Sequence, residues 1–165
     1  MFSSLSLEKE KRVLEFVNKS TQICKTLFAG KFKHLDVDNY KYTTDVAVEE
    51  LGLDDELVNQ LVEDHVIQII KSEAMFLEYL DILKKQKDED VKLDYTDFRE
   101  LAHKNLGVAR NLRIEDAQKL IHELMTKDDL DYLGECLEAL RACTIKLKPK
   151  LAYETMQLIK IKSIL

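Results

Sequence analysis

The sequence predicts an all-α protein: an up-down-up-down bundle of four helices, with further helices at both ends. Three observations carry that expectation. The 165 residues include one proline and four glycines, too few punctuators for a chain of short strands and tight turns. Apolar residues recur at three- and four-residue spacing along most of the length, which is the period of a helix face. No segment alternates apolar and polar residues as a half-buried strand does.

Each element follows from its own pattern. Residues 7–28 place Val13, Val17, Cys24, Leu27 and Phe28 at mixed three- and four-residue steps, so a first helix is expected to end near Gly30. Residues 31–42, KFKHLDVDNYKY, have no clear period and predict a connector. In TTDVAVEELG, Thr43 or Thr44 is placed to cap a short helix and Gly52 to end it. Asp54 then opens a long helix with the stripe Leu57 or Val58, Leu61, Val62, His65, Ile69, Phe76, Leu80 and Leu83, closed by the charged KKQKDEDVK. Asp94 caps the next helix, DYTDFRELAHKNLGVARNL. IEDAQKLIHELM gathers Ile114, Ala117, Leu120, Ile121, Leu124 and Met125 on one face. Leu130, Leu133, Leu137, Leu140, Thr144 and Leu147 repeat close to a heptad and are assigned to the core, with Asp128, Asp129 and Asp131 as caps and dipole partners at that helix start. Pro149 breaks this helix, and LAYETMQLIKIKSIL forms the last one.

Four helices between residues 54 and 147, joined by short loops, make the bundle. The expected organisation is an N-terminal helix and connector over 1–42, the bundle over 43–148, and a C-terminal helix over 149–165 packed on or beside it. The terminal helices could cover the bundle, support an oligomer, or join domains of a longer protein.

Composition narrows the function classes. With 45% hydrophobic and 34% charged residues, the chain suits a globular fold rather than disorder. No apolar run approaches the roughly 18 residues of a membrane span, and the N-terminus lacks a secretory pattern. A net charge of −6 does not suggest nucleic acid as partner. The charge is uneven: residues 45–64 carry eight acidic side chains and no basic one, while both ends are basic. These are read as basic ends packing beside an acidic middle, or as solvated faces. Cys24, Cys136 and Cys143 are an odd number with no C-x-x-C spacing, so neither a disulfide framework nor a zinc site is indicated, and Cys136 and Cys143, seven apart on one predicted helix, are read as small buried hydrophobes. A cytoplasmic setting fits best. No His/Cys/Asp/Glu group has metal-ligand spacing. His65 is assigned to the core, and His34 and His122 to no role.

His103 stands apart. With His103 at zero on a helical wheel, Phe98, Leu101, Val108 and Leu112 fall within about 40° of the opposite side and are assigned to the core. Arg99, Gly107, Arg110 and Ile114 fall within about 40° of His103, on the exposed stripe. Glycine in a helix interior is less stable than alanine by about 1 kcal/mol. Gly107 therefore reads as clearance beside the histidine for something large to approach. A neutral imidazole is a nucleophile near neutral pH, and a phosphoryl group accepted on it would carry negative charge that Arg99, Lys104 and Arg110 could balance.

The segment HKNLGVARNLRIEDAQKLIHEL resembles the H-x-x-K-G motif and following helix of the histidine phosphotransfer (HPt) domain family, aligning without gaps. LGLDDELVNQLVEDHVIQII resembles that family's opening helix, and DDLDYLGECLEALRACTIKL its closing one. The resemblance covers roughly 100 residues. It implies a four-helix bundle whose His103 accepts a phosphoryl group from the aspartate of one receiver domain and passes it to another, with Gly107 at the family's glycine. The carrier would be no kinase or enzyme in itself and would hold no cofactor. Mg²⁺ and the acidic pocket would come from the receiver, and a hybrid histidine kinase could stand upstream. Two positions depart from the motif: Leu106 occupies the place of its lysine and Asn105 that of an apolar residue. On the wheel Asn105 points inward and Leu106 stays near the surface, where it could join a docking patch. The alternative reading is an HPt-shaped adaptor that binds a receiver or another partner without phosphoryl chemistry.

Overall fold

The structure, a computed structural model, describes residues 2–164, and every regular element among them is helical. The order is α1 (Phe2–Ala29), a 3₁₀ turn (Lys33–Leu35), α2 (Asp45–Leu51), α3 (Asp55–Asp88), α4 (Thr96–Leu112), α5 (Glu115–Thr126), α6 (Leu130–Leu147) and α7 (Pro149–Ile164).

The ends of these helices are set by local chemistry. The Asp54 carboxylate accepts the Leu57 N–H at 2.8 Å and caps α3, and Asp129 accepts the Tyr132 N–H at 3.1 Å and caps α6. Gly52 ends α2 in the left-handed conformation with φ 67°, which costs glycine nothing. Thr44 does precede α2, but it makes no capping bond; its hydroxyl instead donates to Asp55 Oδ1 at 2.5 Å. Asp94, expected as the cap of α4, sits two residues before its start, with Tyr95 in the cap position, and accepts both the N–H and the hydroxyl of Thr96, at 3.0 and 2.6 Å. Pro149 stands first in α7, where its missing N–H is no loss.

α3 packs on α4 and α6, and α5 packs on both α4 and α6. Their shared interior holds Val58, Val62, Ile69, Phe76, Leu80, Leu83, Phe98, Leu120, Leu124 and Leu133. Phe76 and Phe98 meet edge to face across α3 and α4, with ring centroids 5.3 Å apart. Of the first turn of α3, Val58 is the inward residue and Leu57 is exposed. α1 lies against α6 and α7, and α7 also against α3. A second apolar cluster of Val66, Ile70, Ile145 and Ala152 joins those elements. Basic Lys9 and Lys31 pair with Glu154 and Glu135. Among the described residues no ion pair joins the basic ends to the acidic run at 45–64. Among the described residues no helix is long and apolar enough to cross a membrane.

The connector is more structured than its sequence suggests. Phe32, Leu35 and Val37 are buried, and polar bonds fasten it over α5 and the α4–α5 turn. Lys119 Nζ donates to the Leu35 carbonyl at 2.8 Å, and Tyr42 OH donates to the Leu112 carbonyl at 2.7 Å. His34, for which the sequence offered no role, lies 2.9 Å from Glu123 Oε1, which also accepts the Tyr132 hydroxyl at 2.5 Å. Burial pushes the Glu123 carboxyl up, but its bonds to His34 and Tyr132 and the charge of Lys127 outweigh this and hold it below the usual range.

Candidate functional site

α4 is held from three directions: by α3, by α5 and, at its C-terminal end, by the connector. Its end is a Schellman turn. Arg113 takes φ 60°, its N–H donates to the Arg110 carbonyl at 3.2 Å, and the Ile114 N–H reaches back to the Ala109 carbonyl at 3.0 Å. That reversal folds Ile114 inward, where it is 2% exposed. The wheel placed Ile114 beside His103, but the wheel's geometry ends with the helix at Leu112.

His103, Lys104, Gly107 and Arg110 are all exposed on α4, as expected. A Cβ added at Gly107 would meet no atom within 4 Å. The glycine is therefore required by no contact among the described residues. Arg99 is half-buried and occupied. Its guanidinium donates to Asp128 Oδ1 at 2.6 Å and to the Lys127 carbonyl at 3.2 Å, and lies 4.4 Å from the centre of the Tyr95 ring. It ties α4 to the α5–α6 loop. Asp128, expected as a cap, serves this pair instead. Lys104 and Arg110 make no ion pair among the described residues, so they are the cations left free beside His103.

Two side chains lie opposite to their sequence assignment. Leu106 is 4% exposed rather than near the surface, at the floor of a recess of about 180 Å³ walled by Leu35, Arg110, Lys119, His122 and Glu123. The connector and α5 cover it, so it offers no docking surface. Val108, assigned to the core, is 39% exposed. It lines a cavity of about 490 Å³ between α2, α3 and α4, with Leu51, Leu53, Leu61, His65 and Asn111. Asn111 escaped the sequence reading and Val108 was given to the core, although a signal for this face existed. Glu100, Lys104 and Asn111 lie between about 60° and 100° round from His103 on the wheel, and their polarity marks a free face centred on that side.

The contact between α3 and α4 includes buried polar side chains. Asn105 is buried, as its wheel position required. Its amide N–H groups donate to the Leu101 carbonyl at 2.9 Å and to Ser72 Oγ at 3.3 Å, while Oδ1 has no partner. Ser72 Oγ also accepts from Gln68 at 3.2 Å. His65, expected in the core, is 2% exposed with Nε2 unpaired, and burial lowers its pKa to about 4. Among the described residues no group of three or more His, Cys, Asp or Glu side chains is arranged to hold a metal ion. Comparison with protein-family models, curated proteins and solved structures finds no match to the chain.

Proposed function

We propose that the chain is a histidine phosphotransfer protein, with an HPt-like up-down-up-down bundle formed by α3 to α6 and His103 as its phosphoryl carrier between receiver-domain aspartates. The observation that carries this reading is Gly107. It is exposed one turn after an exposed histidine, it is less stable there than alanine, and nothing among the described residues occupies the space it leaves. The clearance serves a partner. The four mutual packings of α3, α4, α5 and α6 and their short connections support the bundle.

In the proposed transfer the lone pair of a neutral His103 ring nitrogen attacks phosphorus, the bond from phosphorus to the aspartyl oxygen breaks, and the carboxylate leaves. The reverse attack by a second aspartate unloads the carrier. The receiver brings Mg²⁺ and the acidic pocket. This chain contributes an accessible ring, a helix held rigid by Arg99 and the connector, and positive charge from Lys104 and Arg110. Arg99 is thereby a positioning residue and Leu106 a packing residue. The apolar docking patch that an exposed Leu106 could have joined is formed instead by Val108 and the cavity beside it.

A second reading, an adaptor that docks a receiver without carrying phosphate, is favoured by one observation: Leu106 is buried where the motif has lysine, so no cation stands at that position. The deciding experiment offers radiolabelled receiver domains with Mg²⁺ to the native protein and to His103→Gln. Acid-labile, alkali-stable label on the native chain alone is the expected result. Receiver binding with no label on either protein would replace the carrier by the adaptor.

A further inference from the structure

A cavity of about 460 Å³ lies between α1, the connector, α5 and α6, and none of its lining belongs to α4. Two of its wall residues are thiols, Cys24 on α1 and Cys143 on α6, whose sulfurs lie 3.9 Å apart across 119 residues of sequence. Both are free, at 4% and 7% exposure. The rim carries the exposed side chains of Lys25, Asp38, Lys41 and Lys146. The third cysteine, Cys136, is fully buried and lies outside this wall.

We propose that Cys24 and Cys143 form a reversible disulfide when a small hydroperoxide enters this cavity, which makes the pair a redox modification site that staples α1 to α6. A disulfide bond is about 2.05 Å long, so the sulfurs must approach by about 1.9 Å. Rotation of two side chains on helices already packed together supplies that movement without unfolding either one. A pair of thiols 3.9 Å apart at the wall of a solvent-reaching cavity has both the partner and the access that oxidation needs.

The surroundings assign the roles. The hydrogen bond shared with Cys143, in which either sulfur can donate, lowers the Cys24 pKa against the effect of burial, and Lys146 adds to it. Cys143 is raised by that same bond, by burial and by the neighbouring Asp116 carboxyl, which lies in hydrogen-bonding reach. With the Lys146 ammonium near it, Cys24 is assigned the attack on the hydroperoxide, and Cys143, beside the Asp116 carboxyl, the resolving step. The Cys24 sulfur attacks one oxygen of the hydroperoxide, the O–O bond breaks, and the departing alkoxide or hydroxide takes up the proton that Cys24 had lost. The Cys143 sulfur then attacks the sulfenic sulfur, the S–O bond breaks, and the Cys143 proton, relayed by the nearby Asp116 carboxylate, joins the departing hydroxide as water. Two thiols lose two electrons and two protons, and the hydroperoxide becomes an alcohol (water, for hydrogen peroxide) and water.

The test treats the full-length native chain with a small excess of hydrogen peroxide, then alkylates it under denaturing conditions and maps its peptides. Two of the three thiols are expected to vanish into a Cys24–Cys143 linkage that dithiothreitol reverses, with Cys136 still alkylated. Cys136→Ala should behave like the native chain. Cys143→Ala should leave Cys24 as a sulfenic acid trapped by a dimedone probe. The oxidised protein should melt above the reduced one. An unchanged thiol count, linkages through Cys136 or only between chains, or over-oxidation of Cys24 in the native protein would overturn the site. An oxidised form that melts no higher would overturn the staple.

Discussion

Replacing Gly107 by alanine separates what the fold needs from what a partner needs. Residue 107 lies inside α4 with nothing within 4 Å of the added methyl carbon, and among the glycines only Gly52 has a positive φ. The methyl group thus makes no clash and no contact, and the change reduces to helix propensity and unfolded-chain entropy. Both favour alanine, together by about 1 kcal/mol. For a chain of this size that corresponds to a rise in melting temperature of about 2–4 °C. The measurement is a pair of thermal and urea melts followed by far-ultraviolet circular dichroism, native against Gly107→Ala. Phosphoryl transfer from a receiver, read on the same two proteins, should fall. A methyl group projecting into a closely fitted contact need cost only about 1.4 kcal/mol to slow transfer tenfold, and Gly107→Leu should slow it further. A lower melting temperature would refute the claim that the fold has no need of this glycine. Raised stability with unchanged transfer would refute the clearance argument, because the glycine would then serve neither the chain nor a partner.

Three further outcomes are expected. His65 binds its proton near pH 4 in the folded chain and near 6.5 when unfolded, so its contribution to stability is complete above 6.5 and lost as pH falls toward 4, by about 3 kcal/mol in full. His65→Leu should flatten that part of the stability profile, and urea midpoints across this range that fall equally in both proteins would count against it. Asn105→Leu removes a buried amide whose Oδ1 is unpaired and leaves Ser72 its bond to Gln68. The variant should be more stable by about 1 kcal/mol, and a lower urea midpoint would show that the Asn105 bonds outweigh its desolvation. Asp129→Ala deletes the cap of α6 and should lower stability by about 1 kcal/mol, measured by the same melts.

The helices were legible because their signals are local. Apolar spacing, Asp54, Asp129, Gly52 and Pro149 each act within a turn or two, and the structure places their helix ends within a few residues of the expected positions. The covering of α4 was not legible, because it depends on which distant segments lie over it. A helical wheel assumes one buried side and one free side. Here the connector, which shows no periodicity, closes over Leu106 through Leu35 and the Lys119 and Tyr42 bonds, while the space between α2, α3 and α4 leaves Val108 open. The two errors have the same sense of rotation. The free face is turned toward Lys104 and Asn111, so His103 and Arg110 stand at its edge and Gly107 lies near its middle. A partner centred on this face would rest over the glycine, reach His103 from one side, and meet Val108 and the apolar cavity on the other. On that geometry the glycine opens the whole approach, which is why its substitution, more than that of either neighbouring cation, is the sharper test of what docks there.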